Sequence, residues 1–140
     1  MKLIIDTNIL LSALIKDSIT RAILMTSGEI FYYPETALGE LEKYKGLARL
    51  KSGLSESEFN IIFNAIKNKI IVLPEDIFTS KLIEANKEIG RIDIKDVMFL
   101  ALALAIPNDG IWSEDMHFEH QSKIKIWKTS ELIGFLNKEE

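Results

Sequence analysis

The side chains able to do chemistry in this chain are carboxylates at four separated places. Asp6 stands directly behind the apolar run Leu3-Ile4-Ile5 and just ahead of a second, Ile9-Leu10-Leu11. A lone charge between two core segments is expensive to bury. It is tolerable where a strand ends and a helix begins, at the mouth of a crevice, and in open α/β sheets that is where ligands bind. Its plain alternative role is to cap the next helix, which Thr7 or Asn8 could do instead. Glu40 is the second. The helix expected after Pro34 carries an apolar stripe of Ala37, Leu38, Leu41, Tyr44, Leu47 and Ala48. At about 100° per residue Glu40 falls inside that stripe, while Glu42 and Lys43 fall outside it. A carboxylate on a buried face requires a cation, a hydrogen-bond partner or a raised pKa; at the edge of the stripe it would reach solvent.

Asp93 and Asp96 form the third place. Asp93 as N-cap with Asp96 at N3 comes close to a capping box, which would require no function. The segment behind them, residues 97–106, is apolar on every face. It is expected to be buried all round, with its N-terminus opening inside the domain. Asp115 is the fourth, ending the strand Gly110-Ile-Trp-Ser-Glu-Asp much as Asp6 ends the first, with Glu114 pointing away. Carboxylates brought that close repel one another unless divalent cations neutralise them. All-oxygen ligands suit Mg²⁺ or Mn²⁺ rather than zinc. Two such ions about 4 Å apart are the usual machinery for phosphodiester hydrolysis, and no serine, cysteine or histidine nucleophile is required.

The elements that must position these acids follow from hydropathy and punctuation. Strands are predicted over residues 2–6, 30–33, 70–73, 110–112 and 123–127. Helices are predicted over 8–13, from Ser18 to about 27, from Pro34 and Glu35 to about 50, from Ser55 to about 69, over 77–89, over 93–106, and from a Thr129 or Ser130 cap to about 137. Strands alternating with helices imply a parallel sheet with helices on both faces. No linker, repeat or low-complexity stretch interrupts the 140 residues, so one domain over 1–140 is expected.

Composition narrows the class. The chain is 47% hydrophobic, which excludes a disordered polymer, and it has no cysteine, so neither a disulfide framework nor a thiolate metal site. The longest apolar run is ten residues, too short to span a bilayer. The first residues read as a strand rather than a leader. The expectation is a soluble, cytoplasmic protein without a membrane partner. A formal charge of −4 argues against nucleic-acid binding through a broad basic face, though not against an enzyme that holds phosphates through metal ions. Two local basic groups, Lys43, Lys45, Arg49 and Lys51, then Lys123, Lys125 and Lys128, read equally well as solvated faces or as phosphate contacts.

Four stretches together resemble the PIN domain family of metal-dependent ribonucleases: Ile4-Ile5-Asp6-Thr7-Asn8, Glu40-Leu41, Asp93-Ile-Lys-Asp96 with Ala101-Leu-Ala103, and Trp112-Ser113-Glu-Asp115. Their order and spacing fit a single-domain member over nearly the whole chain. The resemblance implies a three-layer α/β/α fold around a twisted parallel sheet of about four to five strands. It implies a metal-binding quartet of Asp6, Glu40, Asp96 and Asp115, with Asp93 as an auxiliary acid and Asn8 and Ser113 as polar groups that orient carboxylates or a water. It implies hydrolysis of RNA with Mg²⁺ or Mn²⁺ as cofactor. Many members are toxins paired with an antitoxin protein, others process or degrade RNA, and many form homodimers. One position departs from the family: where many relatives carry a further acid two residues after the one matching Asp115, this chain has His117. His117 is read first as a loop histidine, with service as a ligand or proton carrier as the alternative. A zinc pair of His117 and His120 would be short of ligands.

Two other classes compete. A binding module with a degenerate site would fit the modest basicity and His117. A phosphoacceptor signalling domain would need an acidic pair beside the first strand and an aspartate after the third. Here Asp6 has no acidic neighbour, and residues 70–73 lead into Pro74.

Overall fold

The structure is a computed structural model that describes residues 1–138. Five short strands form one sheet: β1 (Lys2–Ile5), β2 (Ile30–Pro34), β3 (Ile70–Leu73), β4 (Gly110–Trp112) and β5 (Ile126–Trp127). Every pairing is parallel and the spatial order is β3-β2-β1-β4-β5. Seven helices are seen among the described residues: α1 (Thr7–Ile15), α2 (Ile19–Thr26), α3 (Leu38–Ser52), α4 (Glu56–Lys67), α5 (Leu82–Ile89), α6 (Val97–Ala105) and α7 (Thr129–Lys138). They cover both faces of the sheet, giving the expected three-layer α/β/α architecture. Parallel strands covered on both faces read as continuous apolar runs. Accordingly Leu3, Ile4, Ile5, Ile111 and Trp112 are all fully buried.

The topology places the site. From β1 the chain winds outward through β2 to β3, then returns to lay β4 on the other side of β1. The direction of winding reverses between β1 and β4, and the carboxyl ends of those two neighbouring strands open a crevice. Asp6 follows β1 and Ser113 follows β4. The register Ile5↔Trp112, extended by Asp6 N–H donating to the Trp112 carbonyl at 3.2 Å, sets them side by side.

Several element boundaries differ from expectation, for local reasons. Asp6 itself caps α1, its Oδ1 accepting from Asn8 N–H at 3.4 Å, so the helix starts at Thr7. Ser18 occupies the cap position of α2, but its hydroxyl makes no cap bond. Pro34 belongs to β2, paired with Leu73, and a 3-10 turn over Glu35–Ala37 precedes α3. That turn is pinned from below: Tyr33 Oη donates to the Ala37 carbonyl (3.0 Å), leaving Thr7 Oγ1 to donate to Tyr33 Oη (2.7 Å). The predicted helix 77–89 is two 3-10 turns around the buried Phe78, followed by α5. The predicted helix 93–106 opens with a 3-10 turn, because Asp93 Oδ1 takes Lys95 N–H at 2.9 Å and tightens the first turn. Six of the nine residues of α6 are buried; Met98, Leu104 and Ala105 are only partly so, which trims the expected burial on every side. Strand β5 covers only the end of predicted 123–127. The Gln121 side chain ties down both the N–H (2.9 Å) and the carbonyl (2.8 Å) of Ile124, holding the stretch before it as a loop. Thr129 lies inside α7 and accepts from Trp112 Nε1 (3.0 Å) rather than capping the helix.

Candidate metal centre

One cavity of about 240 Å³ lies at the carboxyl ends of β1 and β4. It is lined by Asp6, Glu40, Asp93, Asp96 and Asp115, together with Asn8, Leu11, Tyr44 and Lys95. The quartet expected from the sequence and its auxiliary acid are therefore brought together from four segments of the chain. Asn8 lies on the wall, and Ser113 lies directly behind it. Glu40 is half-buried, placed on the cavity by the Thr7–Tyr33–Ala37 hydrogen bonds that fix where α3 starts. The stripe that pointed to Glu40 is narrower than expected, with Leu41 and Ala48 buried but Leu47 half exposed.

Asp6 is 4% exposed and firmly held. Ser113 Oγ donates to Asp6 Oδ2 at 2.6 Å, and Asp115 N–H donates to the same Ser113 Oγ at 2.9 Å. A single hydroxyl thus joins the two strand-end acids. Glu114 faces away, as expected, where its carboxylate accepts Thr129 N–H at 2.7 Å. Burial raises the pKa of Asp6, opposed by the Ser113 and Asn8 hydrogen bonds and aided by the charges of Asp115 and Glu40.

Asp96 is 5% exposed, yet among the described residues it accepts no backbone or hydroxyl hydrogen bond. Burial, then the charges of Asp115, Asp93 and Asp6, push its carboxyl up to about 7. Its one polar neighbour within hydrogen-bonding range is the His117 ring, with Nδ1 at 3.3 Å from Asp96 Oδ2. His117 sits on the 3-10 turn Met116–His120, which follows Asp115 because Asp115 Oδ1 accepts His117 N–H at 2.9 Å. Sequence reasoning placed His117 first in a loop. The only signal for its position was the Asp-x-His spacing, which an aspartate-initiated turn folds back on itself. His120 is exposed and stands outside the cluster.

The donor set fits a hard divalent cation. Five carboxylates surround one cavity, and two of them are almost wholly buried, an arrangement that repels itself unless positive charge lies between them. Among the described residues, Lys95 is the one basic residue on the cavity wall. The two basic groups divide differently. Lys123 pairs with Glu84 (2.8 Å) and Glu88 (3.2 Å), Lys128 with Glu119 (3.6 Å), and Lys125 lies over Trp127, so that group is an ion-paired face. In the other, Lys45 covers Phe63 and Lys43 lies over Tyr44, while Lys51 lines a second hollow beside the cavity. No helix among the described residues is long and apolar enough to cross a membrane.

None of the curated proteins compared matches the chain. A family model described as PIN domain matches residues 4–135, which takes in every acid of the cavity. That match covers nearly the whole sequence and agrees with the parallel five-stranded sheet between helices; the chain belongs to the PIN domain family.

Proposed function

We propose that this chain is an endoribonuclease that hydrolyses RNA phosphodiester bonds with Mg²⁺ or Mn²⁺ held at the acidic cavity. The family is generally one of nucleases, which gives the reaction class. The observation that carries the reading is the convergence of Asp6, Glu40, Asp93, Asp96 and Asp115 on one cavity, with Asp6 and Asp96 almost wholly buried. Asp6, Glu40, Asp96 and Asp115 would hold the cations, with Asp93 beside them. Bound there, the cations supply Lewis acidity, lowering the pKa of an attacking water and stabilising charge on the phosphate oxygens. The protein's own groups do the positioning. Ser113 fixes the Asp6 carboxylate and, through Asp115 N–H, the start of the turn that carries Asp115. The Asp6 cap bond to Asn8 N–H fixes the other end of that carboxylate.

A second hollow along α1 and α3 shares Asn8, Leu11 and Tyr44 with the cavity, and carries Lys16 and Lys51. It offers single-stranded RNA a route in: a ring on which a base can stack and two ammonium groups for phosphates. Cleavage of single-stranded RNA with Mn²⁺ or Mg²⁺, wild type against Asp6→Asn, tests the reading. Equal activity in the two proteins overturns it.

The reading extends to a toxin role beside an antitoxin protein, on kinship alone. Growth arrest on expression, relieved by Asp6→Asn, would support it, and its absence would count against it. It extends as well to a homodimer, for which the exposed side chains of Ile83 and Ile94 beside Met98 offer an apolar face. Light scattering on wild type and Ile83→Asp checks this, a monomeric wild type overturning it.

A further inference from the structure

His117 Nδ1 lies 3.2 Å from Asp115 Oδ1, 3.3 Å from Asp96 Oδ2 and 3.7 Å from Asp93 Oδ2. An imidazole nitrogen ringed by three carboxylate oxygens must carry something positive between them. One N–H can serve only one oxygen, and a charge-assisted N–H···O⁻ bond closes to about 2.7–2.9 Å. All three distances exceed that. Two of them, 3.2 and 3.3 Å, match a different geometry, and the third, 3.7 Å, lies just beyond it. Metal–ligand bonds of about 2.1–2.2 Å meeting at 90–110° hold neighbouring donor atoms about 3.0–3.6 Å apart. One ligand atom each of Asp93, Asp96 and His117 lies within 4.8 Å of the other two, close enough to share one ion, and Asp115 is not among them. Asp96 adds its burial: a carboxylate 95% removed from solvent, on the cavity wall, whose hydrogen-bond partner is this same His117 ring.

We propose that His117, through Nδ1, is a metal ligand alongside Asp93 and Asp96, making this a mixed imidazole–carboxylate centre that selects Mn²⁺ over Mg²⁺. The inference rests on the reading that the cavity holds divalent metal, and goes beyond it by assigning a nitrogen donor and an ion preference. Mg²⁺ is a hard ion that demands oxygen and gives up water reluctantly. Imidazole nitrogen suits first-row transition ions better than the hard Mg²⁺ ion, and Mn²⁺, though the weakest binder of that row, accepts it alongside carboxylates. A further carboxylate at this position would instead leave an all-oxygen site.

The test uses chelator-stripped full-length protein with MnCl₂ or MgCl₂ alone. Electron spin-echo spectroscopy of the Mn²⁺ complex reads nitrogen coordination directly, and calorimetric titration reads affinity. Expected are a ¹⁴N modulation in wild type, its loss in His117→Gln, and a drop in Mn²⁺ affinity of about tenfold or more. Mg²⁺ affinity should change less, so the Mn²⁺/Mg²⁺ preference narrows. His117→Asp should restore tight binding without the nitrogen signal and shift preference toward Mg²⁺. Should that variant fail to fold, His117→Gln and ¹⁵N-histidine labelling of the wild type still decide. Mn²⁺ binding to wild type with no nitrogen modulation and unchanged affinity in His117→Gln overturns the inference while leaving the metal-centre reading intact. No Mn²⁺ or Mg²⁺ binding to wild type at all overturns both.

Discussion

The two flanks of the acidic cavity hold their carboxylates in different ways. On the strand flank, Asp6 takes the Ser113 hydroxyl and Asn8 N–H, and the Asp115 backbone donates to that same hydroxyl. Both acids follow strands of the sheet's centre, and short hydrogen bonds fix them without help from outside. On the helix flank, Asp96 is as deeply buried as Asp6 but accepts no backbone or hydroxyl hydrogen bond among the described residues. Asp93 spends one oxygen on Lys95 N–H, and otherwise only the His117 ring is near. The fold completes one flank; the other is left for a cation to complete. Burial raises the pKa of both acids, and at Asp96, where only the His117 ring opposes it, the carboxyl is pushed up to about 7.

Breaking the strand flank should give the largest effect. Asp6→Asn keeps the size of the side chain but removes its charge and one of its two acceptor oxygens. RNA cleavage in single-turnover assays should fall by more than the roughly 10–100-fold typical of groups that merely orient ligands. Ser113→Ala should fall within that roughly 10–100-fold range. It should also destabilise the metal-free protein by about 1–3 kcal/mol, since Asp6 Oδ2 is left buried without its donor; urea unfolding measures this.

The helix flank should respond with the opposite sign. The Asp96 carboxyl has an ordinary value of 3.8 and stands at about 7 in the folded protein. Between those values the folded state binds more protons at Asp96 than the unfolded one, so the contribution of this carboxyl to metal-free stability is full below about pH 4 and is lost as pH rises toward about 7. Asp96→Asn should flatten that decline and raise metal-free stability at pH 8 by an amount on the order of 1 kcal/mol. Urea unfolding with a chelator from pH 5 to pH 8 checks it, and a wild-type protein that gains stability over that range would contradict the picture. The smallest effect belongs to His120→Ala. That exposed ring stands outside the cluster, and its loss should leave metal affinity unchanged and stability within about 0.5 kcal/mol.

The sequence revealed the sheet better than the turns. Residues 70–73 and 110–112 were legible because an apolar run closed by Pro74, or opened by Gly110, has few other ways to fold. The acids at strand ends were legible for the related reason that a charge interrupting a buried run must sit at its end. The 3-10 turns before α3, α5 and α6 were not, because side chain–backbone bonds such as Asp93 to Lys95 N–H and Thr79 to the Glu75 carbonyl decide them, and these leave no periodic trace. The Thr7–Tyr33 bond that sets Glu40 in place joins residues 26 apart, and no local pattern announces it. The position of the His117 ring depends on α6, β4 and the turn after β4 all meeting, so it could be weighed from the sequence but not located.

The hydrogen bond between Ser113 and Asp6 spans 107 residues. During synthesis Asp6 and Glu40 leave the ribosome long before Asp96 and Asp115 exist, and the cavity closes only when β4 slides in beside β1. Contacts of such long sequence separation form late and slowly. Whatever chemistry this cavity performs therefore requires the chain through Asp115, with β4 laid beside β1. A chain cut ahead of Gly110 lacks β4, Ser113 and Asp115, and so cannot close this cavity.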